Sequence, residues 1–341
     1  MSARACILPL FVPHAGCPHD CVFCNQRRIS GEEKSADAED VRRLLETAAL
    51  PSGAERQLAF YGGSFTAIPA QRQEALLAAA KEGIDRGQID SIRLSTRPDA
   101  IDGAVLDRLR RYGVKTVELG AQSMDETVLR LSGRGHTAED VRCASRLLRE
   151  AGFSLVLQMM TGLPGDSDEK AVYTARELIA LRPDGVRIYP TVIVRDTALY
   201  AMWREGEYRE HTVEDAVRVC AALVPLFEAA RVPILRLGLN PTEELSGGGA
   251  VGGAYHPALG ELVRSRILRN RAEALLQGVS PGCSVTLGVR ERELSQLIGQ
   301  RRCNLAYLAE RFSLRELRVR PAPCESGEIQ ILKIRERGET P

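Results

Sequence analysis

Cys17, Cys21 and Cys24 are the residues whose type and spacing point most plainly to chemistry. The chain has nine cysteines; these three fall within eight residues and the other six are scattered. An odd number spread over 341 residues does not read as a disulfide framework. A cluster of three reads as a metal site. The pattern Cys-x3-Cys-x2-Cys offers three thiolates, one short of the four protein ligands that close a structural zinc or iron–sulfur site. On a cubane cluster, three thiolates leave one iron open to an exogenous ligand, and an open metal position is what catalysis needs. The alternative is a zinc ion with His14 or His19 as its fourth ligand. Phe23, between the last two cysteines, would help keep water from a cluster.

These cysteines need a scaffold, and the chain around them alternates between two patterns. Short apolar runs rich in branched residues occupy residues 7–12, 58–61, 92–95, 116–119, 155–159 and 186–189. Amphipathic stretches fill the gaps at residues 38–49, 71–84, 104–112, 138–151 and 169–181. Strand–helix alternation is the signature of a parallel sheet or barrel with helices outside. Gly113, Gly152 and Gly185 stand where each helix hands over to the next strand, as C-terminal caps would. The predicted fold is α/β, a partial (β/α)6 barrel, with a seventh strand at residues 234–237 after a helix at 213–229. The cysteine segment directly follows the first strand, which places it at the C-terminal mouth of the barrel, where such folds keep their chemistry.

Composition narrows the class. With 44% hydrophobic and 27% charged residues the chain belongs with ordinary globular proteins, not disordered ones. No apolar run approaches the ~18 residues that span a bilayer, so no membrane association is expected. Residues 1–10 lack a long apolar core and a small-residue cleavage site; they read as a first strand, and a cytoplasmic location is expected.

The cysteine spacing after a first strand resembles the radical S-adenosylmethionine superfamily, and further motifs extend the resemblance. Phe60-Tyr61-Gly62-Gly63-Ser64-Phe65 ends the second run, where that family meets the methionine amino group through backbone. Glu118-Leu119-Gly120-Ala121-Gln122 ends the fourth, and Arg134 follows Gln122 at the interval found in oxygen-independent coproporphyrinogen oxidases. Gln158-Met159-Met160-Thr161-Gly162-Leu163-Pro164-Gly165 ends the fifth and is similar to the family's Gly-Leu-Pro motif. The resemblance implies a [4Fe–4S] cluster on Cys17, Cys21 and Cys24, with S-adenosyl-L-methionine as the exogenous ligand. It makes Gly62, Gly63 and Ser64 the backbone contact, Gln122 the ribose contact and Arg134 the carboxylate clamp, a bidentate task suited to guanidinium. Gln158 would lie near the nucleoside. Many relatives carry Glu in place of Ser95, and Ser supplies no charge, which leaves its role open. The residues that act on the substrate are not identified by this reading. An electron donor such as ferredoxin or flavodoxin is implied.

Within the superfamily, residues 6–210 look most like the radical domain of the Elongator catalytic subunit. Gln122-Ser123, Arg134-Gly135-His136-Thr137 and the run from Arg187 to Tyr200 carry that likeness. It implies action on tRNA. The 86 residues after position 255 are fewer than an acetyltransferase domain usually takes, so acetyl-CoA chemistry is not expected. The two rival readings are radical chemistry on a small-molecule metabolite, and a non-enzymatic cluster or zinc protein that binds RNA.

Residues 240–253, rich in glycine, read as a flexible loop, and the domain boundary is placed near its end: residues 1–255 form the barrel and 256–341 a small α+β module. That module carries 15 Lys and Arg against 10 Asp and Glu, mostly Arg, which suits nucleic acid or simply a solvated surface. Its predicted order is helix 259–276, strand 284–289, helix 291–298, a turn at Gly299-Gln300-Arg301-Arg302, helix 304–312, then strands 317–320 and 328–334. This is similar to a KH module, whose Gly-x-x-Gly loop clamps a nucleic-acid backbone. Arg302 stands at the second glycine, so both RNA contact and a structural cap remain open.

Elsewhere Cys143 and Cys220 read as small core residues, and Cys283, Cys303 and Cys324 lack ligand spacing. His211 reads as an exposed neighbour of a helix cap, and His256 as a helix-entry residue. Tyr189, Arg195 and Trp203 are candidates for a substrate pocket.

Overall fold

The computed structural model describes residues 6–12, 17, 21–25, 35–49, 51 and 53–336. Its main sheet has seven parallel strands: β1 (Cys6–Phe11), β2 (Arg56–Tyr61), β3 (Ser91–Thr96), β4 (Val114–Gln122), β5 (Ser154–Thr161), β6 (Gly185–Pro190) and, after the short β7 (Val192–Val194), β8 (Ile234–Leu237). The spatial order is β1-β2-β3-β4-β5-β6-β8. Each strand therefore lies beside its predecessor, and the sheet is an open barrel whose first and last strands do not pair. The predicted seventh strand belongs to the same sheet as the other six.

Local chemistry explains why the connecting segments are helical. Helices Ala38–Thr47, Ala138–Glu150 and Val213–Ala229 each begin with a reciprocal capping box, Asp37 with Asp40, Thr137 with Asp140 and Thr212 with Asp215. Such a box satisfies two backbone donors that the first turn leaves orphaned. In Ala138–Glu150 the buried residues Ala138, Val141, Ala144, Ser145 and Leu148 recur at three and four positions, which lays one stripe against the sheet. Gly113 and Gly152 leave their helices at φ 80° and 82°, the left-handed conformation that a C-terminal cap demands. Gly185 does not; it opens β6, and Arg182 takes the left-handed turn at φ 52°.

The glycine-rich stretch differs from its sequence reading. Instead of a flexible loop, it holds a wide helical turn at Leu245–Gly249 followed by β9 (Ala250–Gly253), which pairs antiparallel with β7. Glycine is required there by close approach. A Cβ on Gly253 would come within 2.6 Å of the Thr191 carbonyl oxygen, and its φ is 80°.

Internal contacts divide the chain into two compact units, residues 1–216 with 223–257, and residues 217–222 with 258–341. The second contains a three-stranded sheet, β11 (Glu316–Pro321), β10 (Ser284–Val289) and β12 (Ile329–Arg335), in that order. β10 runs parallel to β11 and antiparallel to β12. Val285, Leu287 and Val289 face a core completed by Leu268, Leu276, Leu297 and Leu308 from the helices. The turn after Gly299 carries Arg301 and Arg302 at φ 50° and 64°. Among the described residues no helix is long and apolar enough to cross a membrane.

Candidate active site

Alternation along a strand puts every second side chain on one face. In the main sheet the inner face gathers Arg93 and Ser95 from β3, Glu118 and Gly120 from β4, Gln158 and Met160 from β5, and Arg187 and Tyr189 from β6. Most of them line a cavity of about 610 Å³, together with Cys17, Cys21, Cys24, Gly62, Gly63, Ser64, Gln122 and Arg134. All ten residues named from the sequence for the cluster and the cofactor therefore border one space. His14 and His19, the alternative zinc ligands, lie outside the described residues.

Two contacts tie described cysteines to the loops at the strand ends. The Cys17 thiol lies 3.5 Å from Ser64 Oγ, and Arg134 Nη1 donates to Cys21 Sγ at 3.0 Å. Among the described residues no three His, Cys, Asp or Glu side chains converge on a single-ion site.

Two residues of the cavity lining carry a buried polar atom without a protein hydrogen-bond partner, Gln122 at Oε1 and Arg134 at Nε; His136 Nδ1 nearby is a third such atom. Buried polar groups are nearly always paired, so these atoms are open to a partner from the cavity. Gln122 is also held at φ 64°, where a residue with a Cβ carries strain of order 1–3 kcal/mol. The strain follows a register shift in the β4–β5 pairing between Gly120 and Gln122. Arg134 is positioned from both sides: its Nη2 donates to the Gly120 carbonyl at 2.7 Å, and its own carbonyl accepts from Arg97 Nη2 at 2.7 Å. Arg97, 2% exposed, is in turn paired with Asp99. His136 donates Nε2–H to the Ala121 carbonyl at 3.2 Å; burial, then the Arg134 charge, lower its pKa to about 4, so it stays neutral at pH 7.

Deeper in the lumen lies a network that the motifs did not flag. Glu118 is fully buried and accepts five hydrogen bonds. Tyr61 Oη, Arg93 Nη1 and Arg187 Nη2 reach Oε1 at 2.9, 2.8 and 3.1 Å; Gln158 Nε2 and Arg187 Nε reach Oε2 at 2.9 and 2.8 Å. Burial alone would raise this carboxyl, but the Arg187 and Arg93 guanidinium groups hold it below the usual range. Burial and the adjacent Glu118 charge push the Tyr61 phenol up, so it remains a donor. Gln158, expected near the nucleoside, thus spends its amide nitrogen on Glu118. In the sequence Arg93 and Glu118 stand two residues before Ser95 and Gly120 in runs that are otherwise largely apolar, a pattern that names no partner for either.

Other candidates resolve differently. Ser95 reaches the Phe60 carbonyl only at 3.5 Å. His211 is not an exposed cap neighbour: it packs against Gly162 and lies 3.1 Å from Thr161 Oγ1, and burial lowers its pKa. The turn it covers is pinned by Asp166, which accepts from Gly162 N at 2.7 Å and whose pKa burial raises to about 6. Tyr189 lines the cavity, whereas Trp203 packs in an apolar cluster with Ile193 and Leu199, and Arg195 donates to the Gly248 carbonyl. Cys220 is a core residue, but Cys143 is half-buried, with its thiol on Glu139.

Comparison with known proteins agrees with this geometry. The Radical SAM superfamily profile matches residues 11–178, and the Radical SAM C-terminal domain profile matches residues 183–269. Elongator complex protein 3 of Schizosaccharomyces pombe is 32% identical over 185 residues, 48% of this chain and 34% of that protein. The human protein of that name is 36% identical over 138 residues, 40% of this chain and 25% of its own length. A tRNA uridine(34) acetyltransferase of Methanocaldococcus jannaschii is 29% identical over 183 residues, 48% of this chain and 34% of that one. The chain thus spans about a third or less of the length of these curated relatives. Among solved structures, the archaeal Elp3 of Methanocaldococcus infernus superposes with a TM-score of 0.62 at 22% identity, covering 80% of this chain and 64% of that one. That likeness concerns the fold alone. The two profiles, the parallel half-barrel and the relatives agree: the chain belongs to the radical SAM superfamily of enzymes, and its radical region is homologous to that of the Elongator protein.

Proposed function

We propose that this chain binds a [4Fe–4S] cluster through Cys17, Cys21 and Cys24, and S-adenosyl-L-methionine in the adjoining cavity, for radical modification of nucleic acid, most specifically tRNA. One observation carries the reading: three thiols and the unpartnered buried atoms Gln122 Oε1 and Arg134 Nε all border one cavity. When bound, the cluster and S-adenosyl-L-methionine supply a 5′-deoxyadenosyl radical after one-electron reduction, the electron coming from a donor such as ferredoxin or flavodoxin. The protein's part is to orient and to exclude water. Arg134 clamps the methionine carboxylate, and the backbone at residues 62–64 receives the amino group, Gly62 standing at φ 94° where no side chain obstructs approach. Gln122 offers its unpartnered oxygen to the ribose, with Ser95 and Gln158 on the same wall. The tRNA reading rests on the activity for which the archaeal relative is named and on the Arg-rich second unit.

The test is anaerobic reconstitution with iron, sulfide, S-adenosyl-L-methionine and dithionite. 5′-Deoxyadenosine is the expected product; bound zinc with no 5′-deoxyadenosine would overturn the reading. In the same preparations tRNA should be retained, and joint Arg301→Ala and Arg302→Ala substitution should release it; unchanged retention would make the 299–302 turn a structural element.

A second variant probes the cofactor wall without touching a ligand. A Cβ on Gly120 would lie 2.9 Å from Gln122 Nε2 and 3.3 Å from Arg134 Nη2, so Gly120→Ala must displace both. S-adenosyl-L-methionine should bind about tenfold more weakly, ~1.4 kcal/mol, by equilibrium dialysis, with little change in melting temperature. Unaltered affinity would remove Gln122 and Arg134 from the binding wall.

A further inference from the structure

Charge inside the half-barrel does not balance. Arg187 and Arg236 stand side by side in register on β6 and β8, and both reach the cavity. Arg93, 7% exposed, brings a third guanidinium into the same interior. Among the described residues, Glu118 is the single carboxylate that pairs with Arg93 and Arg187. Arg236 donates Nε and Nη2 to the carbonyls of Gly238 and Leu239 at 2.9 Å each, which fixes its fork but cancels no charge. Among the described residues no carboxylate pairs with it. Arg236, half-buried, is thus a cation of the cavity wall that no carboxylate neutralises among the described residues.

The other arginines of the cavity are accounted for. Arg97 is paired with Asp99, and Arg134 faces the methionine end. Arg236 lies three strands from β4, about 14 Å measured along the sheet, too far to serve the same carboxylate as Arg134. Its neighbours offer uncharged polar groups. Tyr189 is kept protonated because burial raises its phenol, and the side chains of Asn240 and Thr242 line the same end, with Leu239 supplying an apolar wall.

We propose that the β6–β8 end of the cavity is an oxyanion subsite for the substrate, in which Arg236 and Arg187, with Tyr189, Asn240 and Thr242, hold a carboxylate or phosphate group. The inference rests on the radical reading of the cavity only in calling the bound anion a substrate. It places a negatively charged group at the inner wall and turns the attached carbon skeleton toward the cofactor end.

The test uses the full chain, loaded anaerobically, with inorganic phosphate and propionate as probes at constant chloride. A ligand of the native state raises the melting temperature by mass action. At least one probe should do so. Arg236→Gln should weaken that probe about tenfold or more, the usual scale for losing a charged hydrogen-bond donor. Arg110→Gln, which removes an exposed cation of the helix Gly103–Arg111, should leave the response unchanged. Response to phosphate alone assigns a phosphorylated substrate; response to propionate alone assigns a carboxylic acid. Should Arg236→Gln fold poorly, Asn240→Ala, at an exposed position, should still weaken the response severalfold. The inference fails if neither anion stabilises the wild type, or if the variants respond as the wild type does. It also fails if Arg236→Gln loses S-adenosyl-L-methionine, since Arg236 would then belong to the cofactor site. Absence of S-adenosyl-L-methionine binding from the wild type, by contrast, strikes the radical reading and leaves the anion result standing.

Discussion

Cys21→Ser should empty the cluster site. A [4Fe–4S] group held by three thiolates already uses the fewest protein ligands that leave one iron for an outside molecule, and a serine hydroxyl is a far poorer donor to iron. Anaerobically reconstituted wild type should hold about four irons per chain, and the variant less than one. Formation of 5′-deoxyadenosine should fall below detection with it. The Cys21 position carries a further role, because its sulfur accepts from Arg134 Nη1 at 3.0 Å. Loss of the sulfur therefore loosens the arginine assigned to the methionine carboxylate as well. Cys303→Ser, at an exposed thiol in the other unit, is the matched control and should retain full iron. Equal iron in both variants would mean that Cys21 is not a ligand.

Glu118→Leu should destabilise the fold more than any other single replacement in the cavity wall. The carboxylate is fully buried and receives donors from Tyr61, Arg93, Gln158 and Arg187. Its removal strands two guanidinium groups that remain almost inaccessible to water, with side chains 9% and 13% exposed. Breaking a buried pair in this way costs about 3–5 kcal/mol. For a unit of this size that corresponds to a fall of roughly 6–20 °C in melting temperature. Glu118→Gln, which keeps shape and one acceptor, should fall between. The pH dependence has a definite sign. The folded-state pKa lies below the ordinary value of 4.5, so the contribution is present above pH 4.5 and is lost as acid protonates the folded carboxylate. Denaturation midpoints at pH 7 and pH 4 should therefore converge between wild type and Glu118→Leu as pH falls. A melting temperature within 2 °C of wild type at pH 7 would mean that the arginines find other partners.

How much of this was legible in the chain itself depends on the range of the signal. Strand–helix alternation is local, and all seven strands of the main sheet lie where the apolar runs stand, with helix ends fixed by Thr137–Asp140 and Thr212–Asp215 boxes readable at three-residue spacing. That the candidate site residues would share one cavity was legible because most of them occur in compact motifs at strand ends. Glu118 was not, since a lone acid in an apolar run has meaning only once Arg93 and Arg187, 25 and 69 residues away, are folded onto it. The β7–β9 ribbon was hidden for the opposite reason. Glycines suggest freedom, and here they serve contact, with Gly253 pressed against Thr191 and Gly252 against Ile193. His211 was misread because its partner Gly162 lies 49 residues back, and only a residue without a side chain accepts an imidazole so closely.

The unclosed sheet has a consequence for solubility. A complete eight-stranded barrel fills its own middle with side chains, so space for a guest requires that the ring stay broken. Breaking it leaves two rows of backbone groups able to recruit a stray strand from another molecule. On the β1 side the chain carries Pro9 in the middle of Cys-Ile-Leu-Pro-Leu-Phe. Proline has no amide hydrogen to offer, and among strands it is tolerated chiefly at such margins. The same imino acid that borders the cavity thus interrupts the template along which copies of this protein would otherwise stick together.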